Sequence, residues 1–115
     1  MKPLRLVVPL VIAALSAPSF AADAEAGLVA VKALGGVNGQ ALACAETRVA
    51  ARAKELMLAH APKTPRFGAA YEEATQEAFA AQTRSGKACA NATDLTARLN
   101  QLALQLAETL PVAAK

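Results

Sequence analysis

The chain contains few of the residues that build catalytic or metal centres. Its 115 residues include one histidine, two cysteines, one tyrosine and no tryptophan. The patterns C-x-x-C, C-x-x-C-H, Glu-x-x-His and G-x-S-x-G, which are typical of redox or zinc pairs, covalent haem, di-iron bundles and hydrolases, are all missing. We therefore predict that the protein is not an enzyme and that it has no metal site and no bound cofactor.

Long hydrophobic runs are also scarce, and the one present lies at the start of the chain. Lys2 and Arg5 precede ten apolar residues at positions 6–15, and a small-x-small site follows at positions 19–21. This order is typical of a secretory signal peptide, whereas a membrane-spanning helix needs about 20 apolar residues. We predict that residues 1–21 are a cleaved leader and that residues 22–115 form a single periplasmic domain with no membrane anchor.

Neither sign of charge is in excess once the leader is removed. Residues 22–115 carry 10 basic and 9 acidic side chains. A nearly neutral protein has no electrostatic reason to bind nucleic acid or an anionic membrane. We expect neither as a partner.

Alanine is abundant, and this limits the core. It accounts for 27 of the 94 residues after position 21, and it favours helix while burying little apolar area. Cys44 and Cys89 are predicted to form one disulfide, since the leader directs them to an oxidising compartment. Closure of a loop of this length stabilises a domain by roughly 4 kcal/mol. The alternative, a redox or metal-binding cysteine pair, lacks the short spacing that such pairs use.

Hydrophobic spacing predicts an all-α fold, a small antiparallel helical bundle of three main helices and a short N-terminal helix. The short helix is expected over residues 24–34, ending at Gly35 and Gly36. The second is expected from just after Asn38 to about His60, and the third from Pro65 to about Arg84. The fourth begins near Asn91 and ends at Pro111. In this order the second and fourth helices start at the same end, where Cys44 and Cys89 can meet.

Each main helix has a predicted inner stripe. The residues of these stripes are Leu42, Ala45, Val49, Ala53 and Leu56 on the second helix, Phe67, Tyr71, Ala74, Ala78 and either Phe79 or Ala81 on the third, and Leu95, Leu99, Leu102, Leu106 and Leu110 on the fourth.

The most unusual stretch lies between the second and third helices. His60, Lys63, Arg66, Phe67 and Tyr71 are the candidate partner-binding residues, because aromatic and arginine side chains anchor binding hot spots and loops carry function. In the alternative interpretation both rings belong to the core and both cations are solvated.

Two other groups have polar or soft atoms that a ligand would use. His60 and Met57 are candidates for contact with haem or a metal, although a histidine at a helix end also complements the helix dipole. Glu73 and Glu77 are four residues apart and could hold a cation, although such pairs are common on solvated helix faces.

Three functions are open on this basis. The first is a periplasmic binding or adaptor module that acts through contacts with an unidentified protein. The second is a carrier of a small ligand, either haem, a metal or an apolar molecule. The third is an envelope-stress chaperone, since the chain resembles the acid-activated periplasmic chaperones in its leader, size, helical content and single disulfide. The oligomeric state stays open, with Leu104 the residue that would mark self-association.

Overall fold

The described part of the chain, residues 20–112 of a computed structural model, consists of four helices and contains no strand. Helix α1 spans Phe20–Ala43, α2 spans Thr47–His60, α3 spans Pro65–Ser85 and α4 spans Ala92–Thr109. These helices confirm the predicted all-α bundle. The predicted leader lies outside the described residues, apart from Phe20 and Ala21, which begin α1.

Helix α1 is the centre of the bundle. It contacts the three other helices, whereas α3 contacts α1 alone. Helices α2 and α4 lie together on the other side of α1 and contact each other. Successive helices run antiparallel, so α1 and α3 are parallel. None of the described helices has both the length and the apolar character needed to cross a membrane.

The predicted end of the first helix at Gly35 and Gly36 is wrong. Helix α1 continues through both glycines and through Asn38 and Gly39 as far as Ala43, so it is the longest helix rather than a short one. A Cβ on Gly35 would lie 2.5 Å from the carbonyl oxygen of Tyr71. Two glycines cost about 1 kcal/mol each in helix propensity, but here glycine allows α1 and α3 to approach closely. Tertiary packing therefore overrides the local stop signal.

The second helix consequently starts later than predicted. It begins at Thr47, so Leu42 belongs to α1, where its side chain is 49% exposed, and Ala45 lies in the joint between the helices. The joint is a Schellman motif, in which the amide of Glu46 donates to the carbonyl of Ala41 and that of Ala45 donates to Leu42. Ala45 takes the left-handed conformation with φ 56° that such a motif requires.

The predicted disulfide is confirmed, although Cys44 lies just after α1 rather than inside α2. Cys44 and Cys89 are bonded, with their Cα atoms 5.8 Å apart. The bond ties the loop between α3 and α4 to the corner between α1 and α2. Disulfides of this kind are typical of an oxidising extracellular compartment.

The ends of α3 and α4 follow local chemistry closely. Pro65 begins α3, and Gly86 ends it in the left-handed region with φ 64°. Thr64 is the N-cap residue of α3, but its side chain makes no capping hydrogen bond. Asn91 caps α4, since its Oδ1 accepts a 2.8 Å hydrogen bond from the amide of Asp94.

The core lies on the side of α1 that faces α2 and α4. It contains four leucines of the predicted stripe of α4, whereas the fifth, Leu110, lies just after that helix and is half-buried. Its largest fully buried side chains are Val31, Leu34, Val37, Leu95, Leu99 and Leu106. Helix α3 adds only Phe67 and Ala70 to the buried set, and Phe79 and Ala81, the alternatives for its inner stripe, are both exposed. Helix α3 is therefore attached mainly through small residues.

Candidate binding surface

The predicted partner-binding residues lie at the α2–α3 joint, where His60 connects two helix ends. Its Nδ1 is 2.8 Å from the carbonyl oxygen of Leu110, so this nitrogen carries the proton and donates it. The contact joins the end of α2 to the end of α4. Met57 is half-buried against the core. Residues 20–112 contain no cluster of three His, Cys, Asp or Glu side chains arranged to hold a metal.

The two cations of the stretch point to solvent. Arg66 forms a salt bridge with Glu25 of α1, and both side chains are more than half exposed, so the pair contributes little stability. Lys63 donates a long hydrogen bond, 3.4 Å, to the carbonyl of Leu58. Both cations are accessible to a partner.

The two aromatic rings do not share the exposed surface on which Lys63 and Arg66 lie. Phe67 is buried in the core, and Tyr71 is half-buried beside α1. Burial raises the pKa of the Tyr71 hydroxyl to about 12. The five residues therefore do not form one exposed surface, and a partner role for them stays a prediction carried by Lys63 and Arg66.

A concave surface lies away from the α2–α3 joint, on the side of α1 opposite α2. Within the described residues α3 and α4 do not contact each other, and this leaves one face of α1 uncovered between them. We call this surface the α1 trough. Ala33 and Gly36 form its floor, α3 and α4 provide its walls, and the exposed Val29 continues the same face of α1 one turn before Ala33. Val29 is 66% exposed.

The α1 trough consists of two adjoining grooves. The groove against α3 has a volume of about 580 Å³, and the groove against α4 a volume of about 240 Å³. Ala33 and Gly36 line both of them. A floor of small side chains lets an incoming helix, which is about 10 Å across, approach the α1 backbone closely.

The two walls of the α1 trough differ in charge. Glu73 and Glu77 line the α3 side, and neither forms a salt bridge within the described residues. Lys32 borders the same groove from α1. On the α4 side Arg98 lines the second groove and donates a 2.8 Å hydrogen bond to Gln40 of α1. The groove against α3 thus carries two carboxylates and the Lys32 ammonium, and the groove against α4 carries the Arg98 guanidinium.

The sequence does not reveal the α1 trough, because Gly36 on its floor resembles the end of a helix. Gly36 was predicted to end a helix, whereas a Cβ at this position would meet nothing within 4 Å. In sequence the Glu73–Glu77 pair indicates only a candidate cation site. The spacing of Val29, Ala33 and Gly36 on one helical face is the signal that would have identified the floor.

Comparison with known proteins gives no functional assignment. No family model matches the chain, and neither a curated protein nor a solved structure matches it.

Proposed function

We propose that this protein is a periplasmic binding module that holds an amphipathic helix of a partner protein in the α1 trough. The observation that carries the proposal is a face of α1 that residues 20–112 leave uncovered, between two helices that do not contact each other. A helix seated there would complete a packed layer on the exposed side of α1. Helix-in-groove recognition of this kind uses apolar anchors on one face of the bound helix.

The charges of the walls set the chemistry of the partner. Its apolar face would lie on Val29, Ala33 and Gly36. One flank would carry Lys or Arg opposite Glu73 and Glu77, and the other would carry acidic residues near Arg98. Complementary rim charges mainly set orientation and specificity, and packing on the floor supplies the affinity.

Two features support the periplasmic location. The order of charges, apolar run and small residues in positions 1–21 is that of a secretory leader, and the Cys44–Cys89 bond is chemistry of an oxidising compartment. Mass spectrometry of the secreted protein without reduction tests this directly. We expect a chain that begins at Ala22 and lacks two hydrogens; an intact leader or free thiols would contradict the assignment.

Binding is tested with a synthetic helical peptide that has a Leu/Ala stripe, Lys on one flank and Glu on the other. We expect saturable binding by fluorescence anisotropy, and Ala33→Arg should abolish it because the long side chain fills the floor. Leu104→Arg is the matched control, since Leu104 is 68% exposed and lies on α4 away from the trough. Equal binding by both variants would reject the α1 trough as the site.

The charge assignment has a separate test. A peptide with Glu on both flanks should bind the unmodified protein more weakly than the mixed-flank peptide. The double variant Glu73→Lys, Glu77→Lys should reverse that order. If the two peptides have the same order of affinity for the unmodified protein and for the double variant, Glu73 and Glu77 do not contribute to the choice of peptide.

A further inference from the structure

A second concave site lies between α2 and α4, at the end of the bundle where both helices begin. This cleft has a volume of about 490 Å³. Arg48 and Arg52 line it from α2, and Thr96 and Asn100 line it from α4. Its base contains Leu99, which is buried in the core, and the buried Val49. The cleft therefore combines an apolar base with polar walls.

The polar groups occur in two matched pairs. Arg48 and Arg52 are four residues apart on α2, as are Thr96 and Asn100 on α4, so each pair is separated by about 6 Å along its helix. Helices α2 and α4 are parallel, since their first turns line this cleft together and His60, the last residue of α2, contacts Leu110 just after α4. Each wall of the cleft therefore carries two polar side chains about one helical turn apart.

Guanidinium groups bind carboxylates through two parallel hydrogen bonds. Two of them about one helical turn apart match two carboxylates joined by a short aliphatic chain, whose methylene groups would lie against Val49 and Leu99. Thr96 and Asn100 would donate to the remaining carboxylate oxygens. We propose that this cleft binds a short aliphatic dicarboxylate, a ligand class independent of the helix proposed for the α1 trough.

Two acidic residues near the cleft, Glu46 and Glu55, should oppose the binding of an anion. Glu46 also lines it, so the charged groups of the lining carry a surplus of one positive charge. Arg52 additionally donates a 3.4 Å hydrogen bond to Glu55, in a pair whose side chains are both more than half exposed. Such a pair is weak, and a ligand carboxylate would replace it. Glu46 should therefore weaken binding of an anion, and its neutralisation should strengthen it.

The test uses glutarate, a dicarboxylate with three methylene groups, titrated into the oxidised protein at low salt by calorimetry and amide NMR. We expect binding with chemical shift changes at Val49, Thr96 and Asn100. Arg48→Gln and Arg52→Gln should each raise Kd by roughly fivefold or more, since charge-assisted hydrogen bonds are lost. Glu46→Gln should lower Kd. Butyrate, which carries a single carboxylate, should bind more weakly than glutarate.

Lys54→Gln is the matched control, because Lys54 is an exposed cation of the same helix that does not line the cleft. Its Kd should equal that of the unmodified protein. The proposal is overturned if glutarate does not bind, if Lys54→Gln weakens binding as much as the two arginine variants, or if sulfate binds as tightly as glutarate. The last two results would identify a general attraction of anions to the cations of α2.

Discussion

Gly39 of α1 lies directly against the backbone of Thr75 in α3. A Cβ on Gly39 would overlap the carbonyl oxygen of Thr75 and would also lie 2.8 Å from the Cβ of Ala78. One turn earlier, Gly35 has the same relationship to Tyr71 and Ala74. The interface between α1 and α3 is therefore a seam of small residues, and its closeness depends on two missing side chains.

The glycines of α1 should respond to substitution in opposite directions. Gly39→Ala places a methyl group into backbone atoms, and we expect a loss of about 1–3 kcal/mol in the free energy of unfolding. Gly36→Ala is the matched control, since its Cβ would meet open space. It should raise stability by up to about 1 kcal/mol through helix propensity. Urea denaturation measures both, and a similar change at the two positions would contradict the close seam.

The register of the same seam depends on a polar pair. Asn38, which is only 8% exposed, donates a 3.2 Å hydrogen bond from Nδ2 to Oγ1 of Thr75, and that hydroxyl donates to the carbonyl of Tyr71. Thr75→Val would leave the Asn38 amide buried without this partner. We expect a loss of about 1–3 kcal/mol in unfolding free energy.

Thr83→Val is the control for that experiment. Thr83 lies on the same helix, is exposed, and its hydroxyl donates only to carbonyls of its own helix. Its substitution should change stability by less than about 0.5 kcal/mol. Comparable effects at Thr75 and Thr83 would argue against a structural role for the Asn38 amide.

Ala45 is a position where glycine should be better than the residue present. Its φ of 56° lies in the left-handed region, which is unfavourable for a residue with a Cβ by about 1–2 kcal/mol. We expect Ala45→Gly to stabilise the protein by about 1 kcal/mol. Ala51→Gly, at an exposed position inside α2, should instead destabilise it by about 1 kcal/mol. Thermal denaturation that ranks the two variants the other way would contradict the Schellman assignment.

The Cys44–Cys89 bond should supply a large part of the stability. It spans a sequence separation of 45 residues, and chain entropy then gives about 4 kcal/mol. The variant Cys44→Ser, Cys89→Ser should lose about this amount in urea denaturation, out of a typical total of about 5–15 kcal/mol. A reductant should lower the stability of the unmodified protein alone. A much smaller loss would mean that packing already restrains the loop.

Tyr71 should make stability depend on pH under alkaline conditions. Its pKa is about 12 in the folded protein, against about 10 in an unfolded chain. As pH rises, the unfolded state therefore loses the hydroxyl proton before the folded state does. The contribution of Tyr71 to the free energy of unfolding is fully present below pH 10 and is lost as pH rises from 10 to 12. Because this is the chain's single tyrosine and there is no tryptophan, tyrosinate absorbance reports the folded pKa directly.

Tyr71→Phe is the control for the alkaline titration. It should remove this part of the fall in unfolding free energy between pH 10 and pH 12. A tyrosinate midpoint near pH 10 in the folded protein would show that the hydroxyl is solvated.

Part of this structure is readable from local patterns alone. Pro65, Gly86 and Asn91 mark helix ends through backbone chemistry that does not depend on distant residues. Leu95, Leu99, Leu102 and Leu106 of α4 form a buried stripe, as their spacing predicts. The cysteine pairing follows from the presence of two cysteines. The structure confirms it, although Cys44 lies just after α1 rather than in α2.

The path of α1 and both candidate sites were decided only by tertiary structure. The segment that contains Gly35, Gly36 and Asn38 resembles a turn in sequence. Its own residues do not indicate that α3 lies close enough to make a glycine-containing helix favourable. Whether Phe67 faces a partner or the core depends likewise on which helices surround it. The sequence by itself determined the composition, the helical periodicity, the residues that cap the helices and the chemistry of the Cys44–Cys89 disulfide. Packing between distant segments decided which faces are covered and which remain open to bind, because burial depends on contacts that no short stretch of sequence contains.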